Sequence, residues 1–510
     1  MTYLTVPIAV SSVDKAKAAI RQAVSAGAEM LELRLDYLQP LTNAEVTSVV
    51  AAAVEAKLPV IATCRPNWEG GRFAGSEVQR QPLLRQAVKA GADYVDLELA
   101  GLEKKAVEFY GAKVIVSNHD FDRLPDDIHK RLENIKIREP AVAKLAYTAE
   151  KITDCFAALD VLRKDGNLIA LAMGEAGIIT RLLTKKLGAF LTFASLEKDQ
   201  ESAPGQVTID EMKNIYRWDA ITADTKVYGI IGSPVGHSLS PVIHNAAFDE
   251  TGFNGLYVPL LIEGSWEEFK AFLDGVRERK WLDIKGLSVT IPHKHNALEY
   301  VKANNGELEA LAERIGAVNT LSIDSNGKIS GFNTDYAGAM NALVDAMGIQ
   351  RVDLKGVTVA ILGAGGVARA MVAGLTDVGA EVTIYNRTVE KAQKLAGEFG
   401  CRWAAAAELA DMQSLDVKVV INCTSLGMHP KVEGTPIKKE LLKEEMVVFD
   451  TVYNPLETRL LRDARQAGAQ GIDGLQMLIN QAALQFEIFT GKPGPKEAMR
   501  RAALDKMTKK

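Results

Sequence analysis

Cysteine is scarce in this chain: Cys64, Cys155, Cys401 and Cys423 are the only four among 510 residues. They lie too far apart for a zinc-ligand spacing or a disulfide framework, so no metal is expected and a reducing cytosol is the expected home. An excess of one charge is also missing. Sixty Lys and Arg against 65 Asp and Glu give a formal net charge of −5, which offers no electrostatic footprint for nucleic acid or an anionic membrane. No stretch approaches about 20 uncharged apolar residues, and Met1 to Ser12 has neither the basic nor the apolar region of a signal peptide. The protein is expected to be soluble, unprocessed and cytoplasmic. Glycine (41) and proline (17) stand near ordinary frequencies, which excludes collagen-like and low-complexity architectures. What remains is a globular composition, 47% hydrophobic and 25% charged, in a chain too long for one core, so two or three domains are expected.

From Tyr3 to Leu196 about eight β-like runs, TYLTVPIAV, MLELRLD, LPVIATC, DYVDLEL, AKVIVSNHD, AVAKLAYTA, NLIALAMG and AFLTFASL, alternate with amphipathic stretches. That alternation predicts parallel βαβ units closing into a compact (β/α)8 TIM barrel over residues 1–218. Thr208-Ile-Asp-Glu211 is a capping-box pattern that predicts a short helix ending near Trp218. Residues 219–225 read as a linker. A second α/β alternation follows, with VYGIIG, LYVPLLI, GLSVTIP, an Asn326–Gly327 hairpin signal and VTVAILGAGG. It predicts two lobes: residues 226–336, completed by C-terminal helices at about 473–491, and a Rossmann lobe over 337–472. Residues 492–510 read as a solvated basic helical tail.

Barrel enzymes place catalytic groups at the C-terminal ends of their strands, and ionisable residues interrupt the apolar runs there. Glu32, Arg34 and Asp36 share one parity, Arg65 follows IATC, Asp96 and Glu98 end DYVDLEL, His119 follows IVSN, and Lys144 sits inside AVAKLAY. A charge in a buried strand is costly unless it is paired or functional. A lysine desolvated among cations is a nucleophile suited to imine chemistry with a ketone. Arg34, Arg65 and Arg181, if they converge, would depress it and bind a substrate carboxylate. His119 would then serve as general acid and base, with Glu69 orienting its imidazole. Taken singly, the lysine also reads as a structural ion pair, the histidine as a satisfied polar group and Glu32–Arg34 as a salt bridge between barrel layers. Their common location at strand ends favours chemistry.

The runs Glu32-Leu-Arg34-Leu-Asp36, Arg65-Pro-Asn-Trp-Glu69-Gly-Gly71, Ser117-Asn-His119-Asp-Phe121, Ala143-Lys144-Leu-Ala and Ser202-Ala-Pro-Gly-Gln206 resemble type I 3-dehydroquinate dehydratase in order over residues 1–215. The resemblance implies that Lys144 forms an imine with the substrate ketone, that His119 moves the neighbouring proton, and that Glu69 partners His119. It implies that Glu32, Arg34, Arg65, Arg181, Ser202 and Gln206 hold the substrate, with Ser202–Gln206 as a lid.

In the second half VTVAILGAGGVARA places Gly363, Gly365 and Ala368 in a G-x-G-x-x-[GA] turn after an apolar strand and before a helix pattern, the setting of a dinucleotide pyrophosphate site that spans Ala364, Gly366 and Val367. At the end of the next strand, where NAD binders usually carry an acid, stand Asn386, Arg387 and Thr388. A cation with two hydrogen-bonding groups suits a 2′-phosphate, so NADP is favoured. Gly232-Ser-Pro-Val-Gly-His-Ser238-Leu-Ser240-Pro, Ser288-Val-Thr290-Ile-Pro-His-Lys294, Gly316-Ala-Val-Asn319-Thr, Phe332-Asn-Thr-Asp335, Asn422-Cys-Thr424-Ser-Leu-Gly-Met, Tyr453-Asn-Pro and Gln481-Ala resemble shikimate dehydrogenase over about 226–491. By that resemblance Ser238 and Ser240 bind the carboxylate; Thr290, Asn319, Asp335, Tyr453 and Gln481 contact the ring; Lys294 and Asp335 handle the carbonyl proton; and Thr424 and Gly474 join the cofactor set. Ser288 stands where that family often has Asn. Taken alone, Lys294 and Asp335 read equally as a salt bridge between lobes.

The expectation is a fused enzyme that dehydrates 3-dehydroquinate to 3-dehydroshikimate and reduces that product to shikimate with NADPH. The competing readings are a quinate-using catabolic dehydrogenase fusion working with NAD and a non-catalytic regulator built on the same folds.

Overall fold

The computed structural model describes residues 1–102, 111–163, 166–199 and 201–508, which divide into two compact units. The first comprises Met1–Pro241 with Phe253–Ile284, and the second Val242–Gly252 with Lys285–Lys510.

All eight expected runs of the first half form strands: β1 (Tyr3–Ile8), β2 (Met30–Arg34), β3 (Val60–Thr63), β4 (Tyr94–Glu98), β5 (Lys113–Asp120), β6 (Val142–Thr148), β7 (Leu168–Met173) and β8 (Leu191–Phe193). They pair in parallel in the order 7-6-5-4-3-2-1-8, and β7 lies alongside β8, so the sheet curls into a barrel. Side chains alternate across a strand, and the inward set changes character along it. At the N-terminal ends Met30, Ile61, Tyr94, Ile115, Val142, Ile169 and Leu191 pack into one buried apolar floor. Two residues further on, the same parity brings Glu32, Thr63, Asp96, Ser117 and Lys144, all buried. The floor supplies the hydrophobic stabilisation and seals the bottom, so the buried charges of these strands, Glu32, Asp96 and Lys144, sit in the layer above it, toward the mouth.

The capping box forms as expected: Thr208 Oγ1 accepts the Glu211 N–H at 3.1 Å, and Glu211 Oε2 accepts the Thr208 N–H at 3.2 Å. The helix stops at Asn214 rather than near Trp218; the chain then turns at Arg217, φ +55°, into a 3-10 turn, Trp218–Ala220. Two parallel strands, β9 (Lys226–Gly232) and β10 (Gly255–Leu261), complete the first unit's strands.

In the second unit β11 (Ile284–Val289), β12 (Glu307–Leu308), β13 (Thr320–Ile323) and β14 (Ile329–Phe332) adjoin in the order 11-13-14-12. The expected hairpin joins β13 to β14, with Gly327 at φ +87° in its loop. A parallel sheet of β15 (Thr358–Leu362), β16 (Glu381–Asn386), β17 (Arg402–Ala405), β18 (Val419–Asn422), β19 (Val447–Asp450) and β20 (Gln470–Ile472) runs in the order 17-16-15-18-19-20, the doubly wound Rossmann arrangement. The helix Thr334–Met347 runs unbroken from its Asn333 cap to Gly348, across the point where sequence reasoning divides the lobes. The solvated tail is corrected. The helix Lys496–Thr508 buries Ala498, Met499 and Ala503. A Cβ on Gly494 would fall 2.5 Å from the Ala483 Cα, so glycine there permits close docking on the helix Gly474–Thr490. Residues 509–510 of that stretch lie outside the described residues.

Candidate active sites

A cavity opens at the mouth of the barrel and is lined by Glu32, Arg34, Arg65, Glu69, His119, Lys144, Arg181, Ser202 and Gln206. Every residue expected for the first site therefore converges. Their partners differ from one another in a way that matters chemically.

Lys144 Nζ lies 2.8 Å from Asp96 Oδ2 and 3.9 Å from Glu32 Oε1, above the Phe193 ring. The same Asp96 oxygen meets Arg65 Nη2 at 2.9 Å, and its other oxygen accepts Ser117 Oγ at 2.6 Å. Burial alone would raise the Asp96 carboxyl, but Arg65 and Lys144 outweigh it and hold the group well below its usual range. Arg65 also reaches Glu98 at 2.6 Å, and Glu98 is backed by the fully buried Arg80 at 2.6 Å. Sequence reasoning treats Asp96 and Glu98 only as strand-end acids and misses Arg80 and Ser117. The period of DYVDLEL puts both acids on the inner face, which is the one available signal; Arg80 comes from a helix and has none.

His119 accepts its orientation from Glu69, whose Oε1 lies 2.8 Å from both the His119 backbone N and Nδ1. Burial, then the cations of Arg65 and Lys144, push the imidazole well below its usual value, so it is neutral. Burial raises Glu69 to about 7 against the pull of Arg65. A carboxylate on Nδ1 leaves Nε2 as the nitrogen free for proton transfer.

Of the three expected arginines, two are already paired. Arg65 is held as above, and Arg34 makes a two-pronged contact with Asp36 at 2.9 and 2.8 Å. This corrects the shared parity expected for Asp36: the strand ends at Arg34, and Asp36 lies in a 3-10 turn, Leu35–Tyr37. Arg181 differs. Its Nη2 donates to Pro204 O at 3.3 Å, while Nε and Nη1 are buried without a hydrogen-bond partner, and burial lowers its pKa to about 10. An unsatisfied buried guanidinium is expensive unless an anion arrives. Ser202 and Gln206 hydrogen-bond to each other across their loop, at 3.0 and 2.9 Å. That loop rests on Gly174, whose N–H donates to Pro204 O at 3.2 Å.

In the second unit Lys294, the first residue of the helix Lys294–Ala303, meets Asp335 in the first turn of the helix Thr334–Met347 at 2.5 Å. Asn319 Oδ1 accepts the Thr334 N–H at 2.8 Å and its Nδ2 donates to Thr334 Oγ1 at 3.1 Å, so this residue holds the start of Asp335's helix. Gln481 crosses the same helix at Gly338, where a Cβ would fall 2.7 Å from Gln481 N. Thr290 accepts the His293 N–H one turn ahead of Lys294, and Tyr453 lies partly exposed beyond β19. Ser288 Oγ donates to Gln485 Oε1 at 2.8 Å, and Gln485 Nε2 donates to Thr320 Oγ1 at 3.0 Å, a buried brace that sequence reasoning misses. Ser238 and Ser240 belong to the first unit, where Ser238 Oγ accepts the Ser240 N–H at 3.2 Å at the head of the helix Ser240–Thr251.

The glycine turn sits at the end of β15 as expected. Gly363 takes φ +112° with Cys423 O only 3.1 Å from where its Cβ would be, so only glycine fits. Gly365 and Gly366 face open space, and the helix Gly366–Asp377 starts there without a side-chain cap. Ala368 is fully buried, as close packing of helix on sheet requires. A cavity lined by Gly363, Ala364, Gly365, Asn386, Arg387 and Thr424 adjoins this turn. Asn386 Nδ2 donates to Thr388 O at 2.8 Å, which shapes the loop that presents Arg387. Val367 lies in the first turn of that helix, and Gly474 opens the helix Gly474–Thr490 with Thr451 O 2.5 Å from its missing Cβ. Uncapped N–H groups beside bare backbone, with an arginine at the next strand end, fit a phosphorylated dinucleotide.

Comparison with known proteins gives the family. The type I 3-dehydroquinase family model matches residues 4–223 and the shikimate dehydrogenase substrate-binding domain 230–321. The shikimate/quinate 5-dehydrogenase model matches 346–456, and the shikimate 5′-dehydrogenase C-terminal domain 474–504. The chloroplastic bifunctional 3-dehydroquinate dehydratase/shikimate dehydrogenase of Arabidopsis thaliana is 39% identical, over 97% of this chain and 83% of that protein. Shikimate dehydrogenase (NADP(+)) of Methanocaldococcus jannaschii is 43% identical, over 57% of this chain and all of its own. A solved shikimate dehydrogenase in complex with NADP+ superposes with a TM-score of 0.51 at 41% identity, covering 56% of this chain and 97% of that one. Among the described residues no helix is long and apolar enough to cross a membrane. The chain belongs to the bifunctional 3-dehydroquinate dehydratase/shikimate dehydrogenase family, joining a lyase barrel to an NADP-dependent oxidoreductase.

Proposed function

We propose that the lyase reaction runs at Lys144 and His119 in the barrel, residues 1–218, and the reduction at Lys294 and Asp335 within residues 226–491. The observation that carries this is Arg181, a buried guanidinium with two unpartnered nitrogens in the same cavity as Lys144 and His119. Such a group calls for an anion, and 3-dehydroquinate brings a carboxylate.

Lys144 attacks the substrate ketone and, with loss of water, forms an iminium. That cation is an electron sink, so the neighbouring C–H becomes acidic enough for neutral His119. His119 takes the proton, electrons flow into the enamine, and their return expels the β-hydroxyl, which leaves as water with the proton from His119. Hydrolysis of the conjugated imine frees Lys144 and 3-dehydroshikimate. Glu69 stabilises the transient imidazolium through Nδ1. Arg181, Arg34, Arg65, Glu32, Ser202 and Gln206 bind and orient the substrate, and the Ser202–Gln206 loop excludes water.

For the second reaction Gly363–Ala368, Asn386, Arg387, Thr388, Thr424 and Gly474 would hold NADPH, which would supply the hydride. Lys294 donates the proton to the carbonyl oxygen, and Asp335 holds Lys294 in place. Thr290, Asn319, Tyr453 and Gln481 bind the ring and its hydroxyls. The free cysteines support a reducing, cytoplasmic setting.

Borohydride with 3-dehydroquinate is expected to fix an adduct on Lys144, seen by peptide mass. Full-length chain with 3-dehydroquinate and NADPH is expected to yield shikimate. Ligand binding with no adduct favours the regulator reading, and a higher specificity constant for quinate with NAD favours the catabolic one.

A further inference from the structure

A barrel helix normally shows one buried stripe and one polar face. Val13–Ser25 follows that pattern and buries only Ala16, Ile20 and Ala23. The helix Cys155–Leu162 does not: Cys155, Phe156, Ala158, Leu159, Val161 and Leu162 are all buried, leaving Asp160 among its few polar positions. Its outer face is covered within the same unit by the helix Trp266–Glu278, which buries Phe269, Phe272, Leu273, Gly275 and Val276. Phe156 stacks on Phe272 with ring centroids 5.9 Å apart and planes 9° apart. Gly275 lies mid-helix, where glycine is unfavourable relative to alanine. The reason is steric: a Cβ there would fall 2.2 Å from Phe156 Cε2.

Charge locks the apolar contact. Arg279 reaches Asp160 with two bonds, Nε to Oδ1 at 2.9 Å and Nη2 to Oδ2 at 2.7 Å, while its guanidinium lies 4.4 Å over the Phe156 ring. Arg163 lies 5.1 Å over Trp281. A second barrel helix, Ile178–Leu182, packs on β10, and Arg217 donates to the Phe253 and Gly255 carbonyls. Planar two-pronged pairing over an aromatic ring is specific recognition rather than incidental contact. The archaeal relative aligns over its whole length with 57% of this chain, so it is a dehydrogenase without a barrel to cover this face.

We infer that the barrel face built by Cys155–Leu162 and Ile178–Leu182 is a dedicated docking surface for the segment Phe253–Ile284, making the barrel a structural subunit of the dehydrogenase. The partner is part of the same chain, matched by an aromatic slot at Gly275 and a cation at Arg279. The segment keeps its fold, and shikimate oxidation survives heating, only while the barrel is folded beneath it.

The test uses the full-length protein, calorimetry, and the residual rate of shikimate oxidation after heating. Neither readout depends on which barrel residues do the lyase chemistry, so failure here is distinct from failure of the site assignments. Wild type is expected to show one unfolding transition, with oxidation lost at the same midpoint. Gly275→Ala separates the readings by sign. Helix propensity alone raises the midpoint of an exposed helix, whereas docking lowers it, by about 5 °C, because the new methyl meets Phe156. Asp160→Asn keeps the shape and removes the charge, and is expected to lower the same midpoint by a smaller amount. Asp160→Asn combined with Arg279→Gln is expected to lose no more than the larger single loss. Two separate transitions in wild type, or an unchanged or raised oxidation midpoint in Gly275→Ala and Asp160→Asn, would overturn the inference.

Discussion

Glu69→Gln isolates one charge at the barrel site. Glu69 Oε1 accepts two N–H groups from His119, the backbone N and Nδ1, each at 2.8 Å. Glutamine keeps an oxygen at that place, so both bonds and the ring orientation survive; only the negative charge that steadies the imidazolium is lost. A hydrogen bond to a charged acceptor exceeds a neutral one by about 1–1.5 kcal/mol, roughly a tenfold loss in rate. Glu69→Ala removes the bonds as well, strands a buried N–H at about 1–3 kcal/mol of stability and frees the ring, for a loss of roughly 10³-fold or more. The pH dependence gives the second arm. Burial raises Glu69 to about 7, so the wild-type rate is expected to rise as pH increases through 7 and Glu69 ionises. In Glu69→Gln that limb disappears, leaving only the titration of His119, which is held well below 6.5. The stability sign is opposite. A carboxyl whose folded pKa is raised from 4.5 to about 7 favours the native state below 4.5, and that contribution is lost as pH rises through 7. Glu69→Gln is therefore expected to gain on wild type across that window, by about 3 kcal/mol at most. The assay is the initial rate of enone absorbance from pH 5 to 9, paired with denaturant unfolding. A Gln variant as impaired as the Ala variant, or one that keeps a limb near pH 7, refutes the reasoning.

Other substitutions test the remaining roles. Lys144→Ala is expected to abolish the borohydride adduct and lower dehydration by at least about 10³-fold while shikimate oxidation by the same chain is unchanged. Arg181→Leu should raise the melting temperature of the ligand-free protein, because an unsatisfied buried cation is removed, and raise KM for 3-dehydroquinate by roughly 100-fold; a lower melting temperature would show that Arg181 is structurally satisfied. Lys294→Met is expected to reduce kcat for shikimate oxidation by about 10²–10⁴-fold with little change in KM. Arg387→Ala should raise KM for NADP+ by about tenfold or more with little effect on NAD+, read from steady-state rates with each nucleotide.

The barrel was legible because its signal is local. A period of two places Met30 and Glu32, or Val142 and Lys144, on one face, and the change from apolar to ionisable along each run marks the mouth. The glycine turn was legible for the same reason, since strand, turn and helix are contiguous. What escaped is pairing between distant segments. Nothing local in Arg65 distinguishes a free carboxylate binder from a side chain committed to Asp96 and Glu98 on the neighbouring strand. Arg80 reaches that network from a helix, and Gln485 reaches Ser288 from 197 positions away. Asn319 shows the other limit: its motif marks it as a ring contact, and its additional bonds to Thr334, which hold the start of Asp335's helix, come from 15 positions away and leave no local signal.

The helix Thr334–Met347 has a mechanical consequence. Asp335 stands in its first turn, while Tyr336, Ala339, Met340, Ala342 and Leu343 are interlocked with the sheet that carries the glycine turn. No loop separates the carboxylate from that layer. Asp335 is thus geared to the nucleotide platform, whereas Lys294 rides on a different helix. The 2.5 Å contact between them therefore ties together two separately anchored helices, so its length is set by both anchors and by neither residue alone.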